Sequence, residues 1–73
     1  MEDKVIEIIS KVTKLSVSDL KASPNEKNLW DSLKHMEIVL ALEDEFDITF
    51  ENEEIANTKT VNLMIATVKN KAE

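Results

Sequence analysis

The sequence predicts an all-α fold, a small four-helix bundle with three main helices and one short helix. The chain has 73 residues with no glycine and one proline, so it lacks the residues that tight β-hairpin turns usually require. In three separate segments, apolar residues recur at the three- and four-residue spacing of an amphipathic helix. The length corresponds to one domain, which we expect to span residues 1–73.

The first main helix is predicted near the N-terminus, where apolar residues share one face. Those residues are Val5, Ile8, Ile9 and Val12. The stretch from Leu15 to Trp30 shows no sustained period and contains several serines and asparagines, which is typical of a long loop. Within it, the segment Ser18-Asp19-Leu20-Lys21 is compatible with one helical turn.

The second main helix is predicted from about Ser32 to Phe46, and it is apolar on two sides. One stripe, which begins at His35, contains Ile38, Val39, Leu42 and Phe46. The opposite side carries Leu33, Met36 and Leu40, bordered by Glu37, Glu43, Asp44 and Asp47. We interpret the first stripe as core and the second as an exposed surface for partner proteins. The alternative is a central helix in which both stripes are buried.

Two further helices complete the predicted bundle. The short one extends from Asn52 to Ala56, with Asn52 as its N-cap and Glu53 and Glu54 in its first turn. The last main helix begins after Thr60, which we predict to be its N-cap. Its apolar stripe consists of Val61, Met64, Ile65 and Val68.

Composition and charge exclude several classes of function. The chain has no cysteine, which excludes disulfides and thiolate zinc sites. The formal net charge of −6 argues against nucleic acid, because phosphate backbones bind clusters of lysine and arginine. No apolar run approaches the length of a membrane span, and the N-terminus Met1-Glu2-Asp3-Lys4 does not resemble a signal peptide. We therefore expect a cytoplasmic monomer.

The tripeptide Asp31-Ser32-Leu33 is the most informative motif, because it lies at the predicted start of the second main helix. A serine at this junction offers its hydroxyl beside free backbone N–H groups and the positive end of the helix dipole, which suits a phosphate ester. This favours a modified serine over a catalytic one. A nucleophile and base pair of Ser32 and His35 is disfavoured, because so small a chain without glycine offers no oxyanion loop.

Acidic residues at the end of the second main helix and beyond it suggest a calcium site, which the pattern does not support. The candidates are Asp44, Asp47, Glu51 and Glu54. An EF-hand loop needs a glycine and alternating oxygen ligands, and neither is present in this sequence. We predict loose surface binding of divalent cations and no specific metal site.

The segment from Leu29 to Leu33, joined to the block from Glu37 to Phe46, resembles the signature of the acyl carrier proteins, and the resemblance covers nearly the whole chain. It implies a non-catalytic acyl carrier domain. By resemblance, Ser32 bears 4′-phosphopantetheine, which comes from coenzyme A and holds an acyl group as a thioester. Asp31 corresponds to the aspartate that is read by the transferase and helps to bind its magnesium. Trp30 either closes the loop on the bundle or contacts this arm.

The resemblance also implies partners and a place for the cargo. The partners are a phosphopantetheinyl transferase (holo-carrier synthase), an acyl- or aminoacyl-loading ligase, and acyltransferases or ketosynthases. They would dock on Leu33, Met36, Glu37, Leu40 and Asp44. In this family a growing acyl chain can withdraw between the helices. The residues compatible with such a lining, or with ordinary core packing, are Ile38, Leu42, Ile55, Val61, Ile65 and Val68.

Two departures from the family pattern bear on the pathway. Many members have glycine shortly before the aspartate, where this chain has Leu29-Trp30, and fatty-acid members usually follow the motif with an acidic residue, where this chain has Lys34-His35. A specialised carrier of a polysaccharide-modifying, aminoacyl or secondary-metabolite pathway is therefore expected at least as much as one of fatty-acid or polyketide synthesis. Peptidyl carriers typically have Gly-Gly before the serine, which is absent here. The alternative function is a small acidic helical interaction module without a prosthetic group.

Overall fold

The structure, a computed structural model, describes residues 2–72, which form five α-helices. They are α1 (Glu2–Thr13), α2 (Val17–Ala22), α3 (Ser32–Phe46), α4 (Asn52–Asn57) and α5 (Val61–Ala72). The predicted all-α fold with three long helices is confirmed. Met1 and Glu73, the ends of the predicted domain, lie outside the described residues. Among the described helices, none combines the length and the apolar character that crossing a membrane requires.

The three long helices pack around a common hydrophobic core. Helix α1 contacts α2, α3 and α5, and α3 also contacts α5. The buried apolar side chains are Val5, Ile6, Ile8, Ile9, Leu20, Ile38, Val39, Leu42, Phe50, Val61, Met64, Ile65 and Val68. Ile6 extends the buried face of α1 beyond the predicted stripe, because α1 is covered by neighbours on more than one side.

Helix α2 corrects the prediction of a long loop with one helical turn. Six residues are helical, and Ser16 is the N-cap, since its hydroxyl oxygen accepts a 3.0 Å hydrogen bond from the N–H of Asp19. Leu20 is fully buried against the core. The bundle therefore has two short helices where the sequence indicated one. Capping and tertiary burial stabilise α2 although its sequence has no apolar period.

The N-cap of helix α4 lies one residue earlier in the chain than predicted. The N-cap is Glu51 rather than Asn52, and the N–H of Glu51 donates to Oε1 of Glu54 at 2.8 Å. The helix also extends one residue beyond Ala56, to Asn57. A carboxylate at the third helical position satisfies the capping residue's N–H better than the amide of Asn52 could from the first position.

The two-sided character of α3 is confirmed. Ile38, Val39 and Leu42 are buried, and the opposite stripe is exposed, with 70% of Leu33, 42% of Met36 and 59% of Leu40 accessible. Phe46, predicted to be core, is only half-buried, because it lies at the last position of the helix and Phe50 fills the core beyond it.

The loop between α2 and α3 is attached to the start of α5. The backbone N–H of Asn62 donates to the carbonyl of Pro24 at 2.9 Å, and its side-chain amide donates to Oδ1 of Asn25 at 3.0 Å. Thr60 caps α5 as predicted, since its hydroxyl accepts from the N–H of Leu63 at 3.1 Å. These contacts hold the loop that leads into Asp31 and Ser32.

Candidate functional site at the start of helix α3

Asp31 determines where α3 begins. Its backbone is extended (φ −85°, ψ 178°), and its Oδ1 accepts a 2.9 Å hydrogen bond from the N–H of Lys34. Its carbonyl accepts from the N–H of His35, also at 2.9 Å. Asp31 is therefore the N-cap, and Ser32 is the first helical residue, with an exposed side chain.

The position of Ser32 suits an anionic substituent. The first N–H groups of an α-helix have no partner within the helix, and the aligned peptide dipoles place partial positive charge at this end. Because α3 has 15 residues, the dipoles of several helical turns add at this end. A phosphate ester on the Ser32 hydroxyl would lie beside these groups, where its charge is favoured.

His35 is not available as a base for Ser32. The indole Nε1–H of Trp30 donates to Nδ1 of His35 at 2.9 Å, and Nε2 of His35 lies 2.6 Å from the carbonyl oxygen of Ile55. Because Nδ1 accepts, the ring proton is on Nε2 and is donated to Ile55. Both ring nitrogens are thus engaged, and the arrangement does not support a Ser32–His35 pair. Trp30 closes the loop on the bundle through this contact.

A pocket of about 430 Å³ opens beside Ser32. It is lined by Asn28, Trp30, Asp31, Ser32, His35, Met36, Ile55, Ala56 and Lys59. A second pocket, of about 380 Å³, shares three of these residues, so the two are contiguous. Sequence reasoning missed Asn28, Ala56 and Lys59. Only Asn28 gave a signal, as a turn-forming residue shortly before the motif, and it has a left-handed backbone (φ 67°).

The residues predicted to bind partners share one face of α3. They are Leu33, Met36, Glu37, Leu40 and Asp44, and all five side chains are exposed. At the helical rotation per residue they fall within an arc of about 100°. Glu37 forms an ion pair with Lys34 at 3.5 Å. The structure thus brings the predicted set together next to Ser32.

Of the acidic residues that were considered and rejected as a calcium loop, Glu54 has a carboxylate that is engaged by other groups. Oε1 of Glu54 lies 2.7 Å from Nζ of Lys71 and also accepts the N–H of Glu51. The hydrogen bond and charge of Lys71, with the N–H of Glu51, lower the pKa of Glu54 below its ordinary value. Within residues 2–72, no three His, Asp or Glu side chains converge as a metal site.

Comparison with known proteins agrees with the geometry around Ser32. Residues 3–68 match the family model described as "Phosphopantetheine attachment site". The chain is also 34% identical to an acyl carrier protein of Buchnera aphidicola subsp. Schizaphis graminum (strain Sg), over 97% of this chain and 92% of that protein. The exposed hydroxyl of Ser32 and the open pocket beside it are compatible with such a group. The chain therefore belongs to the acyl carrier protein family, whose cofactor is 4′-phosphopantetheine.

Proposed function

We propose that Ser32 is the residue to which 4′-phosphopantetheine is attached, and that the chain carries acyl groups between enzymes as thioesters. The observation that carries this proposal is the exposed Ser32 hydroxyl at the first position of α3, beside the Asp31 cap and a pocket of about 430 Å³. When bound, the group supplies a thiol that holds the acyl cargo.

In this proposal the chain is a substrate of a phosphopantetheinyl transferase. Oγ of Ser32 forms a bond to the phosphorus next to the pantetheine, the pyrophosphate P–O bond of coenzyme A breaks, and the nucleotide half leaves as a phosphate. The hydroxyl proton passes to a base of the transferase, because both ring nitrogens of His35 are hydrogen-bonded elsewhere. The N-terminal end of α3 then stabilises the negative charge of the phosphodiester.

The partner enzymes dock on the exposed face of α3. Leu33 and Leu40 supply apolar contact area, and Asp44 and Glu37 supply charge that attracts basic surfaces. Such a combination favours fast, transient complexes, which a carrier that visits several enzymes requires. Tethering the cargo then raises its effective concentration at whichever enzyme is docked.

A specialised pathway fits the docking face at least as well as fatty-acid or polyketide synthesis does. Lys34 partly neutralises the N-terminal end of the docking face through its ion pair with Glu37. The partners that fit this less acidic end are an acyl- or aminoacyl-loading ligase and acyltransferases or ketosynthases adapted to it.

The attachment site is tested by intact-mass measurement after incubation with coenzyme A, magnesium and a broad-specificity transferase. The wild-type protein is expected to gain one phosphopantetheine, and Ser32→Ala none, with helical circular dichroism unchanged. Ser18→Ala, which removes another exposed helical serine, is the matched control and should be modified like the wild type. Addition to the Ser32→Ala variant would overturn the assignment.

The same measurement separates the carrier from the alternative, an acidic helical interaction module. A module without a prosthetic group would keep its mass under all of these conditions while retaining its fold. The family match over residues 3–68 supports the carrier.

A further inference from the structure

Each of the two segments that depart from the family pattern, Leu29-Trp30 and Lys34-His35, contributes one residue to a direct contact between them. Trp30 directly precedes the Asp-Ser-Leu motif, and His35 is the second residue after it. The indole Nε1 lies 2.9 Å from Nδ1 of His35, and the two rings are nearly parallel, at 11°, with centroids 6.2 Å apart. This geometry corresponds to an in-plane hydrogen bond between the two rings. Trp30 and His35 therefore form one structural unit.

That unit continues across α3 to α4. Nε2 of His35 donates to the carbonyl oxygen of Ile55 at 2.6 Å, and the hydroxyl of Thr58 donates to the same oxygen at 3.3 Å. His35 is 8% exposed and Thr58 1%. We call this chain of hydrogen bonds, from Trp30 through His35 to Ile55, the Trp–His bridge. It ties the loop before Ser32 to the end of α4.

The pocket beside Ser32 ends at the Trp–His bridge. Of the residues that the structure describes, those lining the pocket include Trp30, His35 and Ile55, but none of the fully buried side chains of α3 and α5. The rest of its lining is mixed, since Met36 and Ala56 are apolar and Asn28, Asp31, Ser32 and Lys59 are polar. The pocket is thus a surface groove that does not reach the core.

On this geometry, and on the proposed function, we propose that the Trp–His bridge closes the route between α3 and α4, so that the cargo stays in the outer pocket. The cargo class that fits is a short acyl group, because the outer pocket has none of the fully buried core side chains in its lining. A long alkyl chain entering the core would have to separate Nε2 of His35 from the carbonyl of Ile55, which would leave the buried Nε2–H without a partner and the carbonyl with the Thr58 hydroxyl alone. Trp30 and His35 are therefore specificity-determining residues.

The test compares the melting temperature of the protein loaded with acetyl, hexanoyl or decanoyl thioesters. For the wild type we expect melting temperatures within about 2 °C of one another across the series, because a longer acyl group buries no additional apolar surface in the core. Trp30→Phe removes the indole N–H that fixes the His35 ring, so the ring can rotate away from the carbonyl of Ile55, and His35→Ala removes both hydrogen bonds. In these variants the decanoyl form should melt about 4 °C or more above the acetyl form, because added methylenes become buried.

Asn62→Ala is the matched control, because it removes a side-chain hydrogen bond to Asn25 of the same loop, while Asn62 lines neither pocket and has no part in the bridge. It should behave like the wild type across the acyl series. Methyl NMR of Leu42 and Ile65 provides a second measurement, and their resonances should shift with chain length only in the bridge variants. If His35→Ala does not fold, comparing Trp30→Phe with the wild type across the acyl series still tests whether the bridge keeps the acyl group out of the core.

The proposal that the bridge is a barrier would be overturned if the melting temperature of the wild type rose with acyl-chain length as steeply as that of Trp30→Phe. That result would leave the attachment to Ser32 intact. Failure to load any arm on Ser32 would instead contradict the proposed function. In that case ¹⁵N NMR of the single histidine still tests the bridge, which requires the neutral ring to carry its proton on Nε2.

Discussion

Among individual residues, Asp31 has a structural task that sequence reasoning did not identify. The motif resemblance implied that the transferase reads this carboxylate. The structure adds that its Oδ1 caps α3 by accepting the N–H of Lys34 at 2.9 Å. Because the cap fixes the first turn, it also fixes where the Ser32 hydroxyl lies. Loss of Asp31 would therefore disturb both the helix and its modification.

Two substitutions separate these tasks. Asp31→Asn keeps a capping oxygen and should change the free energy of unfolding little, whereas Asp31→Ala should lower it by about 1 kcal/mol. If the charge of Asp31 is read by the transferase, both variants should be loaded with phosphopantetheine more slowly than the wild type. Urea unfolding and initial loading rates measure the two effects. Normal loading of Asp31→Asn would show that Asp31 acts only as a cap.

The contact between Trp30 and His35 illustrates what the sequence could not provide. Helical spacing correctly placed His35 at the start of the buried stripe of α3, and it is 8% exposed. Its partner Trp30 lies in the preceding loop, where no period constrains a side chain. The course of that loop depends on the left-handed backbone of Asn28 and on hydrogen bonds to Asn62 in α5. Such tertiary contacts have no local sequence signal.

Among the elements, α3 is the one whose two faces serve different purposes. Its buried stripe anchors it against α1 and α5, and its exposed stripe remains available beside Ser32. The sequence predicted both faces because a 15-residue helix reveals its periodicity clearly. The six-residue α2 could not be predicted in the same way, since its stability depends on the Ser16 cap and the burial of Leu20.

Mutations should separate the two faces of α3. Leu42→Ala removes a fully buried side chain and should cost about 2–5 kcal/mol of stability. Met36→Ala and Glu37→Lys should leave the melting temperature nearly unchanged but slow phosphopantetheine loading, mainly through weaker docking. Thermal melts and initial rates at sub-saturating carrier measure the two effects. If Met36→Ala melted as badly as Leu42→Ala, the exposed stripe would be part of the core.

The ion pair between α4 and α5 should make stability depend on pH. Because Lys71 and the N–H of Glu51 lower the pKa of Glu54, the folded state holds this proton less tightly than the unfolded state. The stabilisation is therefore complete above the ordinary glutamate value of 4.5 and is lost as the pH falls through the lowered pKa. Glu54→Gln should melt below the wild type at pH 7, and the difference should disappear in acid.

The control for this prediction is Glu53→Gln, which neutralises the exposed neighbouring carboxylate. It should show no comparable pH-dependent difference from the wild type. An equal loss of stability at all pH values in Glu54→Gln would contradict an electrostatic origin.

Over the whole molecule, negative charge dominates, with a net charge of −6. Part of it is concentrated around the end of α3 and the start of α4, where the acidic residues are Glu43, Asp44, Glu45, Asp47, Glu51, Glu53 and Glu54. Several have specific partners: Glu43 accepts the N–H of Phe50 at 2.7 Å, and Glu45 lies 4.0 Å from Lys4. The remaining repulsion opposes folding of a domain with a small core.

Screening this repulsion should stabilise the fold. Raising the ionic strength from 0.01 M to 0.15 M shortens the screening length from about 30 Å to about 8 Å, so the melting temperature should rise. Magnesium should have the same effect at a lower concentration than sodium, because divalent ions bind loosely to clustered carboxylates. Differential scanning calorimetry in matched buffers measures this. A melting temperature indifferent to both salts would mean that solvent already screens these charges.

The identity of the modified residue tests the central claim most directly. Cleavage after lysine releases residues 28–34 as one peptide, in which Ser32 is the only hydroxyl-bearing residue. After incubation with coenzyme A, magnesium and the transferase, tandem mass spectrometry should find phosphopantetheine on this peptide alone. A modified peptide from any other part of the chain, with residues 28–34 unmodified, would contradict the claim that Ser32 carries the arm.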